Sequence, residues 1–444
     1  MEKLWQYNEA SEYLLGIPKF TSKNKPQDTR AFWEFLGYPG GKQKMIHVAG
    51  TNGKGSVCSY LNAILQEMGY SVGLFTSPHL VEMTERIQIN RKEVTKEEFA
   101  EGFSEVLDAV GRAGQTAKLS GYHPTFFEFL FFLSMVLFQR KGTDYIILET
   151  GLGGRLDATN CIPEPVMTIL TRIGMDHTEY LGDTIEKIAA EKAGIIKPHV
   201  PVVALKEPAE AAKVIRHQAA LQEAPLCLTG EDDISDLGFR KKCIDFSYRS
   251  RYYDYIRLTL STSAAYQAEN AVLALKAAEL LFGDKLTAEQ MKHALSSAVW
   301  EGRMEEILPG VYVDGAHNED GIRAFLDTVR RMRAGEREGK FYLLFSVVKE
   351  KNHDAMMHAI ASEALFDEVA LAPLQSSRSL SAESLQALAD QNGIHCFLYK
   401  SVEDAFLALL SKKQEKDVVF AAGSLYLTGQ IKALLRTGAN GKGI

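Results

Sequence analysis

His47-Val48-Ala49-Gly50-Thr51-Asn52-Gly53-Lys54-Gly55-Ser56 sets the fold class. The stretch reads as the end of a strand, a glycine-rich turn and the start of a helix running from Ser56 to about Met68. Glycines let backbone N–H groups converge on an anion without Cβ clashes. The helix N-terminus adds unpaired N–H groups and partial positive charge. Lys54 can reach the β- and γ-phosphates, so the loop implies a nucleoside triphosphate. The commoner phosphate loop ends Gly-Lys-Ser/Thr, whereas Gly55 here separates Lys54 from Ser56. A glycine-rich turn carrying an incidental lysine is the alternative. Gly50, Gly53, Gly55, Lys54 and Ser56 at one strand-to-helix junction favour phosphate binding, with Thr51 and Asn52 between them.

Outward from this loop, short apolar runs alternate with helical patterns. Strands are expected at 44–48, 71–75, 144–149, 166–171 and 201–204, and helices at 126–139 and 184–195. This order indicates a mainly parallel sheet covered by helices on both faces. Residues 236–261 alternate as a small antiparallel sheet, followed by helices at 265–281 and 288–297. A second α/β series has strands at 310–313, 341–347, 368–372, 395–399 and 417–421. The expected division is an N-terminal nucleotide-binding domain, 1–299, and a smaller Rossmann-like α/β domain, 300–444. The charged stretch 331–340 reads as a solvated loop.

The 444 residues are 46% hydrophobic and 24% charged, an ordinary globular composition, and their length allows about two or three domains. The net charge of −7 gives no global basic field for nucleic acid or an anionic membrane. Cys58, Cys161, Cys227, Cys243 and Cys396 are scattered without zinc-like spacing, which fits free thiols in a reducing cytoplasm. Met1-Glu2-Lys3-Leu4-Trp5-Gln6 carries no apolar signal core. The apolar run 126–138 is too short to span a bilayer and contains Glu128, so it reads as a buried helix.

Magnesium would bridge the phosphates through oxygen ligands. Ser77, Glu149 and His177 each fall at the end of an expected strand, where ligands gather in an open parallel sheet. Taken singly, Ser77 is also a turn serine before Pro78, Glu149 a surface acid and His177 a capping or core histidine. Their matching topological positions favour metal. A second glycine-rich loop, Glu149-Thr150-Gly151-Leu152-Gly153-Gly154-Arg155-Leu156-Asp157-Ala158-Thr159-Asn160, follows an acid-tipped strand and allows close backbone approach to a substrate.

These motifs, together with Thr76-Ser77-Pro78-His79-Leu80 and Asp176-His177-Thr178-Glu179-Tyr180-Leu181-Gly182, resemble the folylpolyglutamate synthase/dihydrofolate synthase family of the Mur ligase superfamily. The resemblance continues through Glu191-Lys192-Ala193-Gly194-Ile195-Ile196-Lys197, Tyr266-Gln267-Ala268-Glu269-Asn270 and Asp314-Gly315-Ala316-His317-Asn318, so it covers almost the whole chain. Ala265 and Glu319 stand where many relatives have Gly and Pro.

What the resemblance implies goes further than spacing. Lys192 matches a lysine that is carbamylated in the superfamily and would then be a hard metal ligand; by itself it reads as a surface lysine. Ser56, Ser77, Glu149, His177 and Lys192 form the implied metal set. Gln267 and Asn270 lie near adenine and ribose, Arg303 on the phosphates, and Asp314 and His317 on the nucleotide. Thr125, Phe127, Asp157 and Ala158 match a pterin-binding region; alone, Phe127 is also a core residue at a helix start. The implied catalytic residues are Lys54, Glu149, His177, Lys192 and Arg303.

The implied activity is ATP-dependent joining of L-glutamate to a folate carboxylate, and to dihydropteroate, through an acyl phosphate. ATP and Mg²⁺ at two sites are the implied cofactors, with a monovalent cation as a further candidate. The implied partners are small molecules only (L-glutamate, tetrahydrofolate or dihydropteroate, ATP), with no nucleic acid and no membrane, acting on a cytoplasmic monomer. Two rivals remain: a ligase adding an amino acid to a UDP-muramoyl acceptor, and a nucleotide-dependent switch. At the loop 152–160 and at Ile17-Pro18-Lys19-Phe20 the resemblance is to folate enzymes, which favours folate over the first, and the second α/β domain carrying Asp314-Gly315-Ala316-His317-Asn318 argues against the second.

Overall fold

The computed structural model describes residues 5–17, 24–240, 242–335 and 338–438. The start of the chain and Pro18-Lys19-Phe20, used above, lie outside them apart from Trp5, Gln6 and Ile17.

Strands β1 (Lys44–Ala49), β2 (Val72–Phe75), β3 (Ile87–Ile89), β4 (Lys92–Glu93), β5 (Tyr145–Glu149), β6 (Met167–Leu170), β7 (Val202–Leu205) and β8 (Leu226–Thr229) build one sheet. Their order is β4-β3-β2-β5-β1-β6-β7-β8. From β2 to β8 the neighbours pair in parallel, and β3 and β4 add an antiparallel edge. Both faces are buried, as continuous apolar runs require. Side chains alternate across a strand. Ile46, Val48 and Ile147 therefore join a core with the helices Lys54–Glu67, Gln267–Phe282 and Ala288–Ser297. Met45, Ile146 and Leu148 join a different core with the helices Lys96–Ala113 and Phe126–Lys141. The apolar run is thus a core helix, with Thr125 capping its start and Gly142 ending it in the left-handed region. No helix among the described residues is long and apolar enough to cross a membrane.

β9 (Ile234–Phe239), β10 (Ile244–Arg249) and β11 (Tyr255–Leu260) form the expected small antiparallel sheet. Its Phe246, Tyr248 and Leu258 pack into the first core. β12 (Glu305–Leu308), β13 (Val311–Val313), β14 (Phe341–Phe345), β15 (Glu368–Leu371), β16 (Cys396–Leu398) and β17 (Val418–Ala422) build the third sheet, in the order β12-β13-β17-β14-β15-β16. Only β12 runs antiparallel there.

Some boundaries differ from those read in the sequence. The helix after the phosphate loop begins at Lys54, because Gly53 takes φ +88° and serves as its cap. The stretch 331–340 is not a loop from its start: the helix Glu319–Ala334 runs into it. Arg331 pairs with Asp327 and Arg333 with Asp367, and basic groups in a last turn suit the helix dipole. Residues 336 and 337 lie outside the description. All five cysteines are free thiols.

β1 lies between β5 and β6, and the chain winds to β2 on one side and to β6 on the other. The carboxyl ends of these strands open a crevice at that switch point.

Candidate active site

The phosphate loop is held by its neighbours more than by itself. Thr51 Oγ1 donates to the carbonyl of Gly174 and accepts from its N–H, both at 3.1 Å. Thr171 Oγ1 donates to the carbonyl of Asn52 at 2.7 Å. A Cβ on Gly53 would stand 2.3 Å from Asn270 Oδ1, at a φ that disfavours any side chain. Asn270 Nδ2 donates to Gln267 Oε1, and Gln267 Nε2 donates to Ser56 Oγ. Lys54 folds over the loop, with Nζ 3.1 Å from the carbonyl of Gly50 and 3.9 Å from Glu149 Oε1.

Glu149 ends β5 buried and accepts from the N–H of Ser77 at 3.0 Å. Burial raises its pKa against the pull of Lys54. Lys192, on the helix Ile185–Ala193, is 5% exposed, and its Nζ donates to the carbonyl of Gly50 at 2.7 Å. Burial, helped by nearby Lys54, brings its pKa down to about 7. It is therefore not a surface lysine, and its neutral amine is accessible near neutrality. His177 takes φ +50° at the entry to a short helix, and burial lowers its pKa to about 4. Among the described residues no three His, Cys, Asp or Glu side chains stand close enough to hold an ion together.

The third sheet supplies the opposite wall. Asp314 follows β13, and its carboxylate accepts from Tyr266 Oη at 2.7 Å and from the N–H groups of Met304 and Ala316. Burial raises its pKa while Arg303 opposes the rise. Arg303 Nη1 donates to the carbonyl of Gly302. His317 Nδ1 faces the carbonyl of Gly315 at 2.7 Å; a carbonyl only accepts, so Nδ1 carries the proton. Burial holds this imidazole neutral, with its pKa down to about 3.

Three contacts tie the walls together. Asn52 and Asn318 exchange amide hydrogen bonds at 3.1 Å in each direction. Asn318 Nδ2 also donates to Asp176 Oδ2 at 3.0 Å. Lys351 Nζ donates to Asp176 Oδ1 at 2.5 Å. Burial alone would raise the Asp176 pKa; Lys351, joined by His317 and His177 once acid protonates them, overcomes it and holds the carboxyl well below its ordinary value.

At the other end, Asp157 Oδ2 accepts from the N–H groups of Gly151 and Leu152, both at 2.9 Å, which fixes the second glycine loop. Its Oδ1 accepts from Thr159 Oγ1 at 2.6 Å. The single hydroxyl proton of Thr159 is thereby spent, so its oxygen must accept from His47 Nε2, 2.7 Å away. His47 is fully buried and neutral, and its Nδ1 has no partner among the described residues. Phe127 lies against Gly151, where a Cβ would meet its ring at 2.8 Å, and near Phe75.

A single cavity of about 720 Å³ joins these groups. It is lined by the loop 50–56, by Ser77, Glu149, His177 and Lys192, by Asn270, Arg303, Asp314 and His317, and by Thr125, Phe127, Asp157 and Ala158. Gln267 lines an adjoining pocket of about 240 Å³ that shares Arg303.

Sequence reasoning had not singled out Asp176, Asn318, Tyr266, Lys351 or Arg86, which shape or line the same cavity. The first three stand inside the quoted motifs, which give them no role of their own, and their place there is the available signal. Lys351 and Arg86 carry none.

Comparison with known proteins places the molecule. The Mur ligase middle domain matches residues 48–278, and the Mur ligase glutamate ligase domain matches residues 302–425. The dihydrofolate synthase/folylpolyglutamate synthase of Bacillus subtilis is 33% identical over 442 residues, covering 97% of this chain and 99% of that one. The chain belongs to this Mur ligase family. Another member, the folylpolyglutamate synthase of Lacticaseibacillus casei, is 28% identical over 97% of this chain and 99% of its own. Among solved members of the family, Escherichia coli FolC in complex with DHPP and ADP superposes with a TM-score of 0.84 at 27% identity, covering 98% of this chain and 99% of that one. Mycobacterium tuberculosis folylpolyglutamate synthase complexed with ADP and AMPPCP gives 0.87 at 26% identity, covering 96% and 98%.

Proposed function

We propose that the protein is an ATP-dependent ligase that joins L-glutamate to the terminal carboxylate of a reduced folate and to the benzoate carboxylate of dihydropteroate. The observation that carries this is the continuity of the cavity: it runs from the phosphate loop to Phe127 and Asp157. A triphosphate and an aromatic acid therefore share one enclosure. Relatives named for these activities support the reading.

In the first step an oxygen of the acceptor carboxylate bonds to the γ-phosphorus. The bond from that phosphorus to the β-phosphate oxygen breaks, and ADP leaves with the electron pair. Lys54 and Arg303 offset the charge on the transferring group. In the second step the glutamate amine attacks the acyl carbon, loses a proton, and the C–O bond to phosphate breaks. Phosphate is a good leaving group, so no enzyme nucleophile is needed; positioning does the work. The Asp176–Lys351 and Asn52–Asn318 contacts close the cleft and keep water from the acyl phosphate.

The donor set fits magnesium, which keeps water and phosphate oxygens and takes only one or two protein carboxylates. Ser56, Ser77, Glu149 and His177 would hold it beside the phosphates, and Lys192 would join them as a carbamate at a second site. When bound, the metal neutralises phosphate charge. The low pKa of Lys192 supports the carbamate, since only the neutral amine adds to CO₂. Gln267, Asn270, Asp314 and His317 are assigned to the nucleotide, and Thr125, Phe127, Asp157 and Ala158 to the pterin. The chain divides into domains 1–299 and 300–444, a reading supported by hydrophobic cores that cross this boundary only at Ala264, Tyr266 and Trp300. We read it as working as a monomer, in keeping with one chain supplying both walls of the cavity.

Phosphate release is the direct test, with L-glutamate and either dihydropteroate or tetrahydrofolate, beside Lys54→Ala. Release with both acceptors is expected. Release with tetrahydrofolate alone restricts the enzyme to polyglutamate extension. Release with neither, from protein that binds ATP, overturns the reading; release with a UDP-muramoyl acceptor instead names the replacement.

A further inference from the structure

Arg86 is a buried cation with unspent hydrogen-bonding capacity inside the cavity. It is 6% exposed and lines the cavity with Ser77, Glu149 and Phe127. A guanidinium has five N–H donors. The Nε–H donates to His79 Nδ1 at 2.8 Å, and the guanidinium lies 5.4 Å from the centre of the Phe126 ring. Among the described residues, Nη1 and Nη2 have no hydrogen-bond or ion-pair partner.

The carboxylates that act on Arg86 are already engaged. Glu149 faces Lys54 and accepts from the N–H of Ser77. Glu85 accepts from the N–H groups of Leu80, Val81 and Glu82. Burial pulls the Arg86 pKa down to about 10, which leaves it charged at neutral pH. A buried charge without a counter-ion is costly, so a cation held this way calls for an anion from outside the chain.

Its place narrows the anion. Arg86 closes the turn Met83–Arg86, whose last carbonyl accepts from the N–H of Thr76 beside Ser77. Its guanidinium rests on Phe126, the first residue of the helix that carries Phe127. It therefore stands at the junction of the phosphate-transfer end and the aromatic end of the cavity. An acceptor acid spanning the two must place its carboxylate at that junction.

We propose that Arg86 binds the reacting carboxylate of the acceptor through its free Nη groups and aims it at the γ-phosphate. The aromatic ring of Phe126 and the imidazole of His79 keep the guanidinium plane fixed for this task. The assignment rests on the ligase reading above, and it makes Arg86 a catalytic residue in the strict sense of touching the reacting group.

The test pairs Arg86→Gln with an acceptor whose carboxylate is replaced by a carboxamide. Affinities for dihydropteroate and for its carboxamide are measured calorimetrically with a non-hydrolysable ATP analogue present. Charge-assisted hydrogen bonds of this kind imply a loss of roughly 10- to 100-fold for dihydropteroate in Arg86→Gln. The carboxamide should bind wild type and variant alike, Arg86→Lys should fall between, and affinity for the ATP analogue should stay within about twofold. Equal losses for acid and amide, or an unchanged affinity for the acid, overturn the assignment. Wild-type protein without acceptor-dependent phosphate release would overturn the ligase reading itself, and this assignment with it.

Discussion

Lys351 Nζ lies 2.5 Å from Asp176 Oδ1, across 175 residues of sequence, with each side chain only 7% exposed. The two groups come from opposite walls of the cleft, and their ion pair is largely out of water.

Removing one partner of such a pair leaves a buried charge uncompensated, at a cost of about 3–5 kcal/mol where burial is complete. Lys351→Met should therefore destabilise the closed form strongly. The double variant Lys351→Met/Asp176→Asn should recover much of the loss. Denaturant unfolding measures the stability term, and small-angle scattering with and without ATP measures compaction. A double variant as damaged as the sum of the singles would show that the pair contributes little as a pair.

Lys54→Ala should leave the fold intact and lower kcat/KM for acceptor-dependent phosphate release by roughly 10²–10³-fold, the size expected on losing one preorganised positive group. Steady-state kinetics beside a thermal melt decide it.

Lys192 sets a pH dependence. Its amine is neutral above a pKa of about 7, whereas an unfolded lysine stays protonated to about 10.4. Between those limits the unfolded chain binds more protons, so this residue makes stability rise with pH. Carbamate should form above pH 7 and fade below it. ¹³C NMR of protein under ¹³CO₂ would show the carbamate carbon in wild type and not in Lys192→Gln. A carbamate signal absent at pH 8 would remove the assignment.

Thr159→Val keeps the shape and deletes the hydroxyl between His47 and Asp157. It strands the Nε2–H of a fully buried histidine, a loss of about 1–3 kcal/mol. The second glycine loop should loosen, so KM for the pterin acceptor should rise while ATP affinity holds. Equilibrium unfolding and paired binding measurements separate the two effects.

Gly53→Ala places a Cβ 2.3 Å from Asn270 Oδ1 at φ +88°. Nucleotide affinity should fall sharply with little change in the far-ultraviolet circular dichroism. Retained affinity would mean that the loop relaxes around the methyl group.

Much of the fold was legible in the sequence because central parallel strands are short apolar runs with few alternatives. β1, β5 and β6 were read in this way, and the long apolar helix after Thr125 was recognisable by its Glu128 and its length. The edges were not. β3, β4 and β12 are short and half polar, and β8 shows only partial burial, so periodicity gave no signal. The helix Glu319–Ala334 ends among charges that suit both a helix terminus and a loop. At the site, residues inside motifs announced themselves. Lys351 and Arg86 did not, because their chemistry comes from burial and from neighbours far away in the chain. Lys192 reads as a surface lysine in isolation, and only its packing beside Gly50 and Lys54 makes its amine neutral.

His317 and Asn318 follow β13, and Lys351 follows β14, and both strands hydrogen-bond to β17 between them. The three side chains that reach across the cleft thus hang from one ladder. A rotation of that sheet as one body would break the amide exchange and the ion pair in the same movement. A cleft fastened from one sheet is built like a latch, whose catches would turn together with the plate that carries them.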